Sequence, residues 1–476
     1  MKFNSFKNAR IVRSSWLEEG GRRLDCGPYM SGALEARDAL KSLDAPKEPL
    51  KSLTAGYAGG IYNGPMFRRN YVESPEYGVP FVTSGTMLLA DLSTLPLLRK
   101  RDAESSRLSY LQLKSGMTLI SCSGTIGRMA YVRPDMDGMW SSQDVLKVVP
   151  DPSKIPPGYL YAFLSSKYGV PLVVSGTYGA IIQHIEPAHI ADLPVPRLGD
   201  EFEGRIHAEV DKAAHLLATY QREVKQATVD LFESVGLSNI TADEWHSWGP
   251  DVGFAVSQIS TPSLRALNFN PRFQRLVGQI SQGPYKKLKE ICLPGTLSRG
   301  GRFKRIDAAP GHAYQMIGQK ELFWLKPEGR WIAKSALDAD ALGIPGAVLV
   351  AAQGTLGESE LYCRAEFVSG SWTKMAFSEH ILRVIADEDV MPRGCLFAFM
   401  RSETAFRMLR SISSGTKLQD HHYAFRGELP VPYPDRAIQK AIHEKIVSAY
   451  EARHRAVALL DEVARMVEIA IGGGED

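Results

Sequence analysis

One ordered string of words occurs twice in this chain. LPVP at Leu193 returns at Leu429, 236 positions later, and its neighbours return in the same order. MTLISCSGTIGRMAYV (117–132) is answered by VLVAAQGTLGESELYC (348–363), which sets Gly124 and Gly127 opposite Gly354 and Gly357. SQDVLKVVPDPSKIPPGYLYAFLSSK (142–167) is answered by SEHILRVIADEDVMPRGCLFAFMRSE (378–403), and RRLDCGPYM by LRALNFNPRF. Chance does not place so many matching words in one order. The chain is a tandem duplication, so any fold proposed for one half must serve the other.

Each copy closes in a long helical stretch. No proline or glycine interrupts 205–235, and apolar or aromatic residues recur there at steps of four and three: Ile206, Val210, Ala213, Leu217, Tyr220, Val224, Ala227, Leu231. That heptad stripe belongs to a helix packed lengthwise on another helix. Asp200 with Glu203 reads as a capping-box start and Gly236 as the stop. The second stretch opens at Asp435 after Pro434 and ends in Gly472–Gly474. Its stripe is Ile442, Ile446, Ala449, Arg453, Ala456, Leu460, Val463, Val467, Ala470. Each helix would be about 50 Å long at 1.5 Å per residue. Running them antiparallel buries both stripes and gives two heads on a two-helix rod, related by a pseudo-twofold axis. Tyr220 and Arg453 are expected at the seam edge, stems packed and heads solvated.

Before each helix the pattern is mixed. Short strand-like pieces bounded by glycine and proline (78–88, 117–132, 141–150) precede a helical word at 158–169. The expected fold class is mixed α/β: domain one over 1–198, helix one over 199–236, domain two over 237–432, helix two over 433–472 and a tail at 473–476.

Composition narrows the function classes. Lys and Arg number 56 against 53 Asp and Glu, a net charge of +3, which permits a nucleic-acid partner without demanding one. No apolar run approaches 18 residues, so no membrane span is expected. The opening MKFNSFKNARIVRSSW lacks the apolar core of a secretion signal. Five scattered cysteines without a CxxC pair suggest a reduced, cytoplasmic protein with no thiolate zinc site.

Catalytic equipment is missing. There is no GxxxxGK[ST] phosphate loop, no GxGxxG after a strand, and no Asn/Asp-Pro-Pro-Tyr word of the amino-methyltransferase kind. SGTIG lacks the central serine of a GxSxG elbow. His421–His422 have no cysteine or acidic partner at metal-ligand spacing. The expectation is a chain without catalytic or metal-binding residues and with no cofactor of its own.

Binding equipment remains. KKLKEICLPGTLSRGGRFKRID (286–307) sets seven Lys/Arg against two Asp/Glu among four glycines and prolines. Such a loop suits phosphate contact through Arg299, Arg302, Lys304 and Arg305. The matching loop of domain one, AGYAGGIYNGPMFRRNY (55–71), offers Tyr62, Arg68, Arg69 and Asn70. Thr125 and Thr355 lie in the GTIG and GTLG turns, whose glycines are expected to supply positive φ. After the SGT words come Tyr178, Gln183 and His184 in domain one, and Lys417, Gln419 and His421 in domain two. Amides there can pair with adenine, and lysine can read guanine.

The order GTIG, SQDVLKVVP, GYLYAFLSSKYG, SGT…IEPAHIADLPVP and a long helix, then GTLG, SEHILRVIAD, GCLFAFMRS, SSGTKL…LPVP and another, resembles the specificity subunit of Type I restriction–modification systems over nearly the whole chain. The resemblance implies two target-recognition domains joined by a coiled-coil spacer of two long antiparallel helices. It implies a non-catalytic subunit that reads a bipartite, gapped site in double-stranded DNA. It also implies two methyltransferase subunits as partners, holding S-adenosylmethionine, and in some complexes a restriction/translocase subunit using ATP and Mg2+. The helix starts at Asp200, Glu203, Asp435 and Arg436 are the expected partner-docking positions. Two other readings share these features: a recognition component of another phage-defence assembly, and a two-headed protein adaptor that binds no DNA.

Overall fold

The short apolar runs become strands buried on both faces, and their order is the same in both halves. The computed structural model describes residues 12–19, 27–175, 184–249 and 262–473. In the first half the main sheet runs Ile61–Tyr62, Val145–Val148, Thr118–Ser121, Met129–Tyr131, all antiparallel. In the second it runs Ser298–Arg299, Ile381–Val384, Val348–Ala351, Ala365–Phe367. Even the register is repeated: Thr118 faces Val148 as Val348 faces Val384. A second sheet follows in each, with one parallel pairing, Gly78–Val82 beside Trp140–Ser141 and Ala313–Ile317 beside Ala376–Phe377. The LPVP words form edge pairs, Pro194–Pro196 with Lys47–Pro49 and Pro430–Pro432 with Tyr285–Lys287. The duplication read from the words is therefore a duplication of topology.

Both long helices form. The first spans Asp200–Glu233 and the second Arg436–Gly472, 34 and 37 residues. The stop at Gly236 is made by its left-handed φ of 71°, which lets the Leu237 N–H reach back to the Phe232 carbonyl. The start differs from the expected capping box. The Glu203 N–H bonds to the Gly199 carbonyl, so Gly199 caps and Asp200 is already inside the helix. Glu203 is fully buried; its carboxylate accepts from the Leu198 N–H (2.9 Å) and from Arg197 (3.0 Å). The second copy inverts this pair. Pro434 stands where Leu198 was and has no N–H, and Gln439 stands where Glu203 was, donating to the Pro434 carbonyl (2.7 Å). Losing the donor and gaining one on the side chain keeps each buried group satisfied.

The chain divides into two compact units, 1–88 with 96–218 and 455–476, and 89–95 with 219–454. Their borders fall inside both long helices, because each head packs on part of both. In the first unit Ile206, Val210 and Ala214 share a core with Val463, Val467 and Ile471. In the second, Tyr220, Val224, Ala227 and Leu231 share one with Ile442, Ile446, Ala449 and Tyr450. Pairing low numbers of one helix with high numbers of the other makes the packing antiparallel in each unit. The head is fastened to its helix by the same device twice. Gly158 and Gly394 press their backbones on His207 and His443, where a Cβ would come within 2.9 and 2.8 Å. Their N–H groups donate to the imidazole Nδ1 at 3.2 and 3.0 Å. Both pairs are 236 positions apart.

The seam of the second unit corrects the expectation for Tyr220 and Arg453. Both are 1% exposed. The Arg453 guanidinium pairs with Glu366 (3.2 Å) and donates to the Trp324 carbonyl (2.8 Å), while Tyr450 hydrogen-bonds the other Glu366 oxygen. Snorkelling needs water within reach, and here the head and helices close over the seam. Segment 89–95, sequentially part of domain one, belongs to this second unit. Leu89 bridges Trp324, and Asp91 meets Arg401 (2.5 Å) and Gln221 (2.9 Å). Burial pushes the Asp91 carboxyl up, but the Arg401 charge and three hydrogen bonds outweigh it and hold it well below the usual range.

Among the described residues no helix is long and apolar enough to cross a membrane. The described cysteines, Cys122, Cys292, Cys363 and Cys395, are buried and unbridged.

Candidate nucleic-acid interface

Each head brings three separate sequence segments to one place: the glycine turn, the segment after the SGT word, and the basic loop. In the first head Ser123, just before the GTIG turn, bridges His184. In the second, Gln353 pairs with Asp420 and Gly354 with Gln419. Ser123–His184 and Gln353–Asp420 are the same pairing in the two copies. The turns themselves differ. Gly124 and Gly127 have φ of 75° and 80°, as expected for a tight reversal. Gly354 and Gly357 do not have positive φ. A Cβ on Gly354 would lie 2.8 Å from Tyr362 Cβ, so there the glycine admits a close neighbour.

The basic loops are tied down beside these turns, again at matching points. Arg69 pairs with Asp144 (2.8 Å) and Arg305 with Glu379 (3.2 Å), both acceptors lying just before the inner strands 145–148 and 381–384. Arg299 pairs with Asp420 (3.1 Å). These three arginines anchor loops, and their charges are partly spent on carboxylates. The Asn70 amide donates to Asp102 (2.9 Å). Arg68, Arg302, Lys304 and Lys417 are exposed and, among the described residues, their side chains make no ion pair or hydrogen bond. Thr125 and Thr355 are exposed at the turn tips. His184 is half-buried. Tyr178 and Gln183 lie outside the described residues.

Three of the expected contact residues and one expected docking residue are buried and need correcting. Tyr62 is 5% exposed and donates to the Tyr110 carbonyl (3.1 Å); burial pushes its hydroxyl up to about 12. Gln419 is 4% exposed and donates to the Thr416 carbonyl (2.5 Å). His421 is 4% exposed, stacked on Tyr362 and 3.1 Å from the Cys363 sulfur, and burial holds it neutral with a pKa near 3. A buried side chain has no face to offer a duplex. Glu203, expected at a docking surface, is buried in the helix start described above. Asp200, Asp435 and Arg436 are exposed, although Arg436 is tied to the Val390 and Glu388 carbonyls.

Other residues at these sites escaped the sequence reading. The run Arg99–Lys100–Arg101 lies beside the first basic loop, its Arg99 N–H bonded to the Asn70 carbonyl. Arg107 donates to the Met66 carbonyl (2.9 Å). The run LRKRD was a readable charge signal; Arg107 carried none. In the second head Leu418 and Tyr423, 59% and 75% exposed, flank the buried Gln419 and His421. A cleft elsewhere in the second unit, lined by Asp91, Tyr220, Arg364, Glu366, Arg401 and Tyr450, has its charges paired with each other or with neighbouring groups. The arrangement on the heads can bind a polyanion through loops.

No protein-family model and no curated protein matches the chain. Among solved structures, a Type-I restriction–modification S subunit from M. genitalium is similar at 10% identity, over 91% of this chain and 97% of that one, with a TM-score of 0.36. The HsdS subunit from Thermoanaerobacter tengcongensis is similar at 13% identity, over 90% and 97%, with a TM-score of 0.26. A structure described for complex assembly and conformational transition of the type I R-M system is similar at 14% identity, over 90% and 98%, with a TM-score of 0.27.

Proposed function

We propose that this chain is the DNA-recognition subunit of a Type I restriction–modification complex, non-catalytic by itself, and that each head reads one half of a bipartite, gapped target. The observation that supports this best is the doubled site. On both heads a basic loop is pinned by arginine to the start of the inner strand, beside the same turn-to-segment pairing. A duplicated head with its own loop sequence suits two half-sites of different sequence. Phosphate contact through Arg68, Arg302, Lys304 and Lys417 positions the heads, and groups at the turns and hairpin tips meet base edges. The two unbroken helices set the spacing between half-sites and offer docking positions at Asp200, Asp435 and Arg436. Methyltransferase partners, two copies over opposite strands, hold S-adenosylmethionine and flip the target base. A restriction partner would bring ATP and Mg2+.

Footprinting of the purified chain with its methyltransferase, combined with methylome sequencing of a host expressing both, tests the reading. One gapped sequence should be protected and methylated, and binding to random duplex should fall steeply with salt. Uniform protection overturns it; no retention of DNA at physiological salt with the partner present overturns it and leaves the protein-adaptor reading. Turnover by the chain alone with S-adenosylmethionine or magnesium would also overturn it.

A further inference from the structure

The first basic loop holds an anomaly that phosphate binding does not use. Met66 is 84% exposed, the highest value among the exposed large apolar side chains of the described residues. An apolar side chain held in water gains nothing for folding. The loop does not present it by accident, since each neighbour is fixed. Gly64 packs so closely on Leu111 and Gln143 that a Cβ would lie 3.0 to 3.3 Å from them. Phe67 turns inward and meets Phe81 edge-on, ring centroids 6.1 Å apart. The Met66 carbonyl is held by Arg107. Pro65 stiffens the approach. The side chain thus stands at a braced tip with exposed cations near it: Arg68 two residues on, Arg107 on its carbonyl, and Lys100 and Arg101 next to Arg99, whose N–H holds the loop's Asn70 carbonyl.

Cations around a braced apolar tip fit the surface of a duplex. The cations hold phosphates on either side while an apolar side chain enters between two base pairs, partly unstacking and kinking them. Methionine is long, unbranched and polarizable, which suits insertion between flat rings. We propose that Met66 is a wedge that enters the base stack of double-stranded DNA in the half-site read by the first head. This rests on the DNA-recognition reading above and adds a positioning residue to it: the kink would select steps that unstack at low cost, giving sequence preference without a base hydrogen bond.

The test uses the full chain with its methyltransferase on the target found by footprinting. 2-Aminopurine is placed in turn at each purine of both half-sites, and end-to-end fluorescence transfer reports bending. Wild type should show a fluorescence rise at one step in a single half-site, together with a bend. With the DNA saturated by protein, Met66→Ala should abolish both, and Met66→Leu should restore them. Arg68→Ala should lower the salt slope by about 1 and keep the 2-aminopurine signal. An unchanged rise and bend in Met66→Ala, or no rise in wild type on a protected site, overturns the wedge and leaves DNA recognition standing. Absence of any wild-type footprint overturns both.

Discussion

Lys147 shows how one side chain can be judged by its partners. It is fully buried on the inner strand of the first head, and among the described residues its ammonium donates to the Ser142 and Val145 carbonyls alone, at 3.0 and 2.8 Å. Its counterpart 236 positions on is the buried Arg383. Burial pulls the Lys147 pKa from 10.5 down to about 7, with Cys122 and Asp144 opposing the shift weakly. Below about pH 7 the native state holds the ammonium at full desolvation cost. Between about 7 and 10.5 the native state has lost the proton while the unfolded chain still binds it, so the cost is relieved as pH rises. Lys147→Met should therefore stabilise the protein relative to wild type at pH 6.5, and the advantage should shrink by about 3–5 kcal/mol towards pH 10. Urea unfolding of both proteins across that range measures it. A difference independent of pH would mean that Lys147 keeps its proton in the fold.

The helix seam carries chemistry in one copy that the other lacks. Arg453, Glu366, Tyr450 and Tyr220 form a buried polar cluster in the second unit. The positions 236 earlier or later are Leu217, Ala130, Ala214 and Ala456. The same architecture is thus closed once with charge and once with aliphatic side chains. Taking an arginine out of water is repaid only if its partner and hydrogen bonds are all present. Arg453→Leu should destabilise by about 3–5 kcal/mol, since it strands the buried Glu366 carboxylate. Adding Glu366→Ala, which copies the first unit, should recover most of that loss. Thermal unfolding of the two variants decides it: equal destabilisation of single and double would show that packing volume, not charge, sets the cost. The Glu203 and Gln439 helix starts repeat the lesson, since each buried side chain is chosen by whether residue 198 or 434 carries an N–H.

Under the DNA-recognition reading proposed above, the two unbroken helices make a distance testable. Removing one heptad from each long helix at matched positions shortens each by about 10 Å, which is roughly three base pairs at 3.4 Å per step. Heptad removal keeps the apolar stripe in phase and leaves the head loops untouched. Methylome sequencing with the shortened chain should show both half-sequences retained and the gap between them changed. Changed half-sequences with an unchanged gap would show that the helices do not set the spacing. This prediction stands or falls with DNA recognition itself, which the footprint establishes first.

The amino-acid sequence determined the duplication, both long helices with their stops, the buried stripes and the absence of catalytic words. All of these depend on local signals: a period of 3.6 or 3.5, a glycine at a left-handed position, a proline at an edge. It also led to the turns and basic loops of both heads, and to the exposed Arg68, Arg302, Lys304 and Lys417. Only the tertiary structure decided which polar side chains face outward. Tyr62, Gln419 and His421 stand in words that read as surface, yet Tyr110, Thr416 and Cys363 with Tyr362 take them inward. Arg69 and Arg305 became anchors because Asp144 and Glu379, some 75 residues away in each case, meet them. Irregular loops have no period from which an inward or outward face can be counted. Their side chains are assigned by distant residues that only the folded chain brings near.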